Sequence, residues 1–161
     1  TLVSEPIWII PKNEPNAKLP VTLGVRITNK TPNPIRFSRF DTLYPNLVRQ
    51  GGQVIQLEGG RDGTLKPKES DFPLVAPRES VTFYLDANLS WQNNKLQLGG
   101  SDGFGGLWYF DNLNPDTYQV QFIYQSHKRS VEIDKQGRRI LDNIWIGRVA
   151  TPFVKISLLQ A

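Results

Sequence analysis

The chain has no cysteine and no methionine, and it carries a single histidine. Without cysteine there is no disulfide, no thiolate nucleophile and no cysteine-ligated zinc or iron–sulfur centre, so stability must come from packing. The length, 161 residues, permits that. A chain of this size buries roughly two-thirds of the surface its unfolded form exposes, and a single domain is expected over residues 1–161. The missing cysteine does not assign a compartment. Because translation begins on methionine, a chain opening at Thr1 is expected to have lost at least that residue, through trimming, removal of a signal peptide or truncation. No apolar run is long enough to span a bilayer; the longest, near Ile7 and Leu158, are strand-sized.

Helical periodicity is also missing. In its place, short alternating or apolar runs recur between proline, glycine and asparagine, the spacing of an all-β protein. The readable strands are Ile7 to Ile10, Val21 to Thr28, Ile35 to Ser38, Gln53 to Leu57, Ser80 to Asp86, Leu107 to Phe110, Thr117 to Gln125 and Phe153 to Leu158. The clearest is the seventh. After the turn residues Asn114, Pro115 and Asp116, Tyr118, Val120, Phe122 and Tyr124 share one face and Thr117, Gln119 and Gln121 the other. Tyr118 sits where the tyrosine corner of an immunoglobulin-like sandwich folds its hydroxyl back onto upstream backbone. The expected fold is therefore an all-β, immunoglobulin-like antiparallel β-sandwich of about eight strands. That scaffold needs only about 100 residues, so the surplus is assigned to long loop insertions at Glu58 to Glu79, Ala87 to Gly106 and Ser126 to Thr151. The last contains an extra hairpin, Val131 to Ile133 against Arg139 to Leu141.

No constellation assembles a catalytic set. Gly59-Gly60-Arg61-Asp62-Gly63 and Gly99-Gly100-Ser101-Asp102-Gly103 share a Gly-Gly-x-Asp-Gly pattern, which glycine and aspartate explain as tight turns. Asp62, Glu69, Asp71 and Asp102 are too few and too scattered for the six or more oxygens calcium takes, so no metal is expected. His127, the sole histidine, lies between Ser126 and Lys128; neighbouring strand side chains point apart, and no Gly-x-Ser-x-Gly elbow supplies another nucleophile. Asp86, Asp102, Asp111 and Asp116 show no spacing that singles out a glycosidase pair. The expectation is not an enzyme, and no cofactor.

The tryptophans Trp8, Trp91, Trp108 and Trp145 are the side chains best able to build a binding surface. On their strand, Trp108 and Phe110 oppose Leu107 and Tyr109, so one pair turns inward and the other outward. Trp91 and Trp145 lie in the insertions, where packing beneath the loop is the first reading.

The segments Pro77-Arg78-Glu79-Ser80-Val81-Thr82-Phe83 and Leu113-Asn114-Pro115-Asp116-Thr117-Tyr118-Gln119-Val120 resemble strand-leading turns of bacterial immunoglobulin-like and fibronectin-III-like sandwiches, a class that includes the intracellular proteinase inhibitor family. Arg78 and Asp116 stand where that signature has glycine. Gly103-Phe104-Gly105-Gly106 is similar to the Gly-x-Gly-Gly loop of chagasin-type inhibitors of cysteine proteases. The other two inhibitory loops of that family have no full counterpart here. The resemblance implies a sandwich and, through the Gly-rich loop, a protease as a partner.

The function expected is a non-enzymatic protein-interaction module of a bacterial envelope or exported protein, periplasmic or extracellular rather than cytoplasmic. Phe104, Gly105, Gly106, Trp108, Trp91 and Trp145 would supply contacts and Lys128 and Arg129 a basic approach. The alternatives are a protease inhibitor using residues 103–106 and a carbohydrate-binding module using outward tryptophans. Nucleic acid ranks last as a partner, because 19 basic against 15 acidic residues is far from the balance such modules show.

Overall fold

The period-two alternation of the sequence is realised as strand after strand. The computed structural model describes residues 1–61, 63, 65–133 and 139–161. The first half of the chain holds β1 (Leu2–Ser4), β2 (Ile7–Ile10), β3 (Lys18–Pro20), β4 (Leu23–Thr28), β5 (Ile35–Arg36), β6 (Leu43–Arg49), β7 (Val54–Ile55), β8 (Glu58–Arg61) and β9 (Leu74–Val75). The second half holds β10 (Ser80–Tyr84), β11 (Asn88–Gln92), β12 (Lys95–Ser101), β13 (Gly106–Leu113), β14 (Asp116–Ser126), β15 (Val131–Ile133), β16 (Arg139–Leu141), β17 (Gly147–Ala150) and β18 (Val154–Gln160). One 3-10 turn, Glu69–Asp71, is the only helical piece among the described residues.

Three larger sheets form a sandwich-like all-β fold. One runs β1-β4-β10, the second β3-β11-β12-β13-β8, and the third β2-β18-β14-β6-β7 with β17 also beside β14. The named strands pair antiparallel except β2, which runs parallel to β18. A single cluster of buried side chains joins all three, taking Val25 and Phe83 from the first, Leu89, Leu98 and Phe110 from the second, and Leu47, Val120, Phe122 and Ile156 from the third. A satellite cluster of Phe72, Ile133, Leu141 and Ile144 lies under the small β15-β16 hairpin.

The corner is present. Tyr118 is buried, its hydroxyl donates to the Asn114 carbonyl at 2.8 Å and accepts from the Asn114 N–H at 3.1 Å. Val120, Phe122 and Tyr124 follow it into the core. The extra hairpin is also observed, with Val131 opposite Leu141 and Ile133 opposite Arg139; its turn, 134–138, lies outside the described residues.

Two stretches differ from expectation. Most of Ala87 to Gly106, from Asn88 to Ser101, is not a loop but the β11-β12 hairpin, the centre of the five-stranded sheet. Its turn is the two residues Asn93 and Asn94, with φ of 52° and 63°, the backbone a two-residue hairpin with the right twist requires and that asparagine tolerates. Leu43 to Arg49, unread in the sequence, is a central strand beside β14. Pro45 hid it, since proline argues against an interior strand. Here Pro45 faces Phe122, whose N–H goes to the Thr151 hydroxyl and whose C=O takes the Thr151 N–H. The missing donor therefore costs the ladder nothing, and β7 reaches only Leu47 and Val48. Conversely, Ile35 to Ser38 shrinks to the two residues of β5.

Candidate functional site

The two Gly-Gly pairs are strands rather than turns, and they flank the same stretch of β13. Gly59 and Gly100 both lie opposite Trp108, Gly60 and Ser101 both opposite Leu107, and Gly99 opposite Tyr109. Residues directly opposite share a face, so Trp108 has no side chain on either side. A Cβ on Gly100 would overlap the Asp86 carbonyl, and one on Gly59 the Leu107 carbonyl. Glycine is needed here for close approach of backbone. Trp108 and Phe110 are the inward pair, 8% and 1% exposed, while Leu107 is 55% exposed.

The loop from β12 to β13 is organised by one carboxylate. Asp102 Oδ1 accepts the N–H groups of Phe104 at 2.7 Å and Gly106 at 2.9 Å, as an aspartate in a turn does. Its Oδ2 accepts Arg61 Nε at 3.0 Å and Nη2 at 2.7 Å. Arg61 also holds Asp41, Nη2 to Oδ1 at 2.7 Å and Nη1 to Oδ2 at 3.3 Å. Burial raises the Asp102 pKa, but the donated N–H groups and the guanidinium outweigh it and hold it below the ordinary value of 3.8. Asp86 is lowered as well, first by the Ser101 N–H, which offsets burial together with Asn88 and Lys18. Both therefore stay ionised, and neither has the raised pKa of a general acid. A cavity of about 340 Å³ lies behind this network, bounded by Arg39, Tyr44, Asp86, Asp102, Phe104 and Trp108.

A second hollow, about 650 Å³, is bordered by Gly99, Gly100 and Gly106, which pack so closely against Trp108, Asp86 and Asp102 that none has room for a Cβ. Asn88, Ser90, Gln92 and Gln97 line it, Asn88, Ser90 and Gln92 by alternation with the buried Leu89. Among the described residues its only charged lining residues are Lys18 and Asp86, which cancel. Trp91 borders it, half-buried, with its indole N–H donated to the Pro11 carbonyl at 2.8 Å.

The residues expected to make contacts are dispersed. Phe104 is buried, with its ring edge-on to Phe40 at 4.7 Å, and Trp108 is buried against Phe110. Neither presents apolar surface, because Asp102 turns Phe104 inward and glycine neighbours make room for the Trp108 ring. Gly105 is exposed with φ of 94°, and Gly106 opens β13 opposite Arg61. Trp145 is half-buried and stacks on Tyr124 at 5.7 Å, far from the loop in the fold's connectivity and on a different cleft. Lys128 and Arg129 are exposed. The basic hairpin is partly neutralised, since Arg139 grips Glu69 through two bonds of 2.9 Å and 2.8 Å. Asp62 and the basic residues Lys135 and Arg138 lie outside the described residues. The sequence reading missed the amide-lined face; the Asn93-Asn94 turn was the signal that would have placed Asn88 to Gln97 on a hairpin.

Among the described residues no helix is long and apolar enough to cross a membrane, and none forms a cluster of three or more His, Cys, Asp or Glu side chains suited to a metal. In comparisons with known proteins the chain matches no family model, no curated protein and no solved structure.

Proposed function

We propose that this chain is a non-enzymatic recognition module of the immunoglobulin-like sandwich class, and that it binds a neutral, hydroxyl-rich polymer, a glycan, along the hollow of the five-stranded sheet. The observation that carries this reading is the uncharged amide and hydroxyl lining of Ser90, Gln92 and Gln97, beside Asn88, whose buried amide is held on Asp86. Amides offer both donors and acceptors at fixed spacing, which matches a chain of hydroxyl groups. Cancelling charges of Lys18 and Asp86 favour a neutral ligand over a polyanion. The depressed carboxylates Asp86 and Asp102 support binding without hydrolysis.

Affinity electrophoresis through gels containing a neutral β-glucan, a xylan or a mannan tests the reading. The protein is expected to be retarded by at least one, and Gln97→Ala to weaken that retention about tenfold. Equal mobility in all three gels, with and without polysaccharide, rejects it.

A second reading has one observation in its favour. The loop 103–106 is pre-set by Asp102 and Arg61, and a pre-set loop binds a cleft with little ordering cost, as protease inhibitors require. It predicts inhibition of a papain-type protease that is lost on Gly105→Trp. Absence of inhibition by the unmodified chain disposes of it.

A further inference from the structure

A third cleft lies elsewhere, where the edge of the three-stranded sheet meets β17 and β18. It holds about 610 Å³, within the range of small-molecule sites. Its depth is aromatic: Phe37, Phe122 and Tyr124 are buried core residues, and Trp145 forms a wall stacked on Tyr124. Its lips are Val149 and Val154, 51% and 38% exposed. Val149 lies opposite Tyr124 and Val154 opposite Val120, so both face the cleft rather than the outer surface.

The charge at this cleft has one sign. Arg26 and Lys30 line it and are exposed, and among the described residues no aspartate or glutamate lines it. An apolar slot with a cationic margin is complementary to an apolar body that ends in an anion. We infer that this cleft is a binding site for a small amphipathic carboxylate, its aliphatic chain against Trp145, Val149 and Val154 and its carboxylate toward Arg26 and Lys30. The site is separate from the glycan hollow and does not depend on it.

Titration of the purified chain with decanoate, decanol and decylamine, read by tryptophan fluorescence and by calorimetry, tests the assignment. Decanoate is expected to bind saturably, one per chain, and to perturb Trp145 emission; decanol is expected to bind about tenfold more weakly. Val149→Trp, which fills the slot from a lip, is expected to abolish saturable binding, and Val154→Trp does the same from the facing lip if the first variant fails to fold. Arg26→Glu with Lys30→Glu is expected to erase the preference for decanoate over decanol. The inference is overturned if decanoate does not saturate, if a folded lip variant binds it as well as the parent, or if the double charge reversal leaves the preference intact.

Discussion

Tyr118 uses one hydroxyl twice, donating to the Asn114 carbonyl and accepting its N–H, while its ring is almost fully buried. Tyr118→Phe keeps the ring and removes both bonds, so a loss of about 1–2 kcal/mol is expected in urea unfolding. A loss near zero would mean that water takes over both groups. This residue was legible because its partner is four positions away. Phe104 was not: flanked by Gly103 and Gly105 it reads as a surface ring, and it turns inward only because Arg61 and Phe40, drawn from distant segments, join the local Asp102 turn. Gly100 is a further case. Its Cβ would overlap the Asp86 backbone, so Gly100→Ala is expected to cost about 3 kcal/mol, measured against the milder Gly60→Ala, whose added Cβ meets nothing within 4 Å.

At the scale of elements, β14 is the axis of the six-stranded sheet, with β6 on one side and β17 followed by β18 on the other. The handover between β17 and β18 is bridged by a side chain. Thr151 Oγ1 accepts the Phe122 N–H at 3.0 Å and donates to the Pro152 carbonyl at 3.0 Å. Thr151→Val is nearly isosteric and strands a buried N–H, so it is expected to destabilise by about 1–3 kcal/mol. Faster amide exchange at Phe122 should accompany that loss; unchanged exchange would refute the bridge. The strands legible in advance, β2, β4, β10, β13, β14 and β18, carry their own alternating or apolar runs. Strand β6 was not, because the harmlessness of Pro45 depends on where Phe122 sends its backbone bonds. The β11-β12 hairpin was concealed by glycine and asparagine that resemble loop composition.

For the whole molecule, one core cluster draws on all three larger sheets, so unfolding followed by tryptophan fluorescence and by far-ultraviolet circular dichroism is expected to coincide. Separate midpoints would show that the sheets melt independently. Acid is expected to destabilise the fold in a defined window. Asp86 and Asp102 have folded pKa values below the ordinary 3.8, so the unfolded chain takes up protons first. Their stabilisation is fully present above that value and is lost as pH falls through the lower folded values. Urea midpoints measured between about pH 5 and pH 2 should fall, and Asp102→Asn should flatten the fall.

By itself the sequence determined the all-β class, the tyrosine corner, the burial of alternate residues along β14 and the hairpin of β15 and β16, because each depends on neighbours within a few positions. Tertiary structure alone decided which strands sit side by side. That placement brought Gly59 and Gly100 to either side of Trp108, clamped Asp102 between Arg61 and its own loop, and opened the amide-lined hollow and the aromatic cleft. The physical reason is that a strand's backbone bonds and side-chain spaces are completed by partners remote in sequence, and no local pattern specifies which partner arrives.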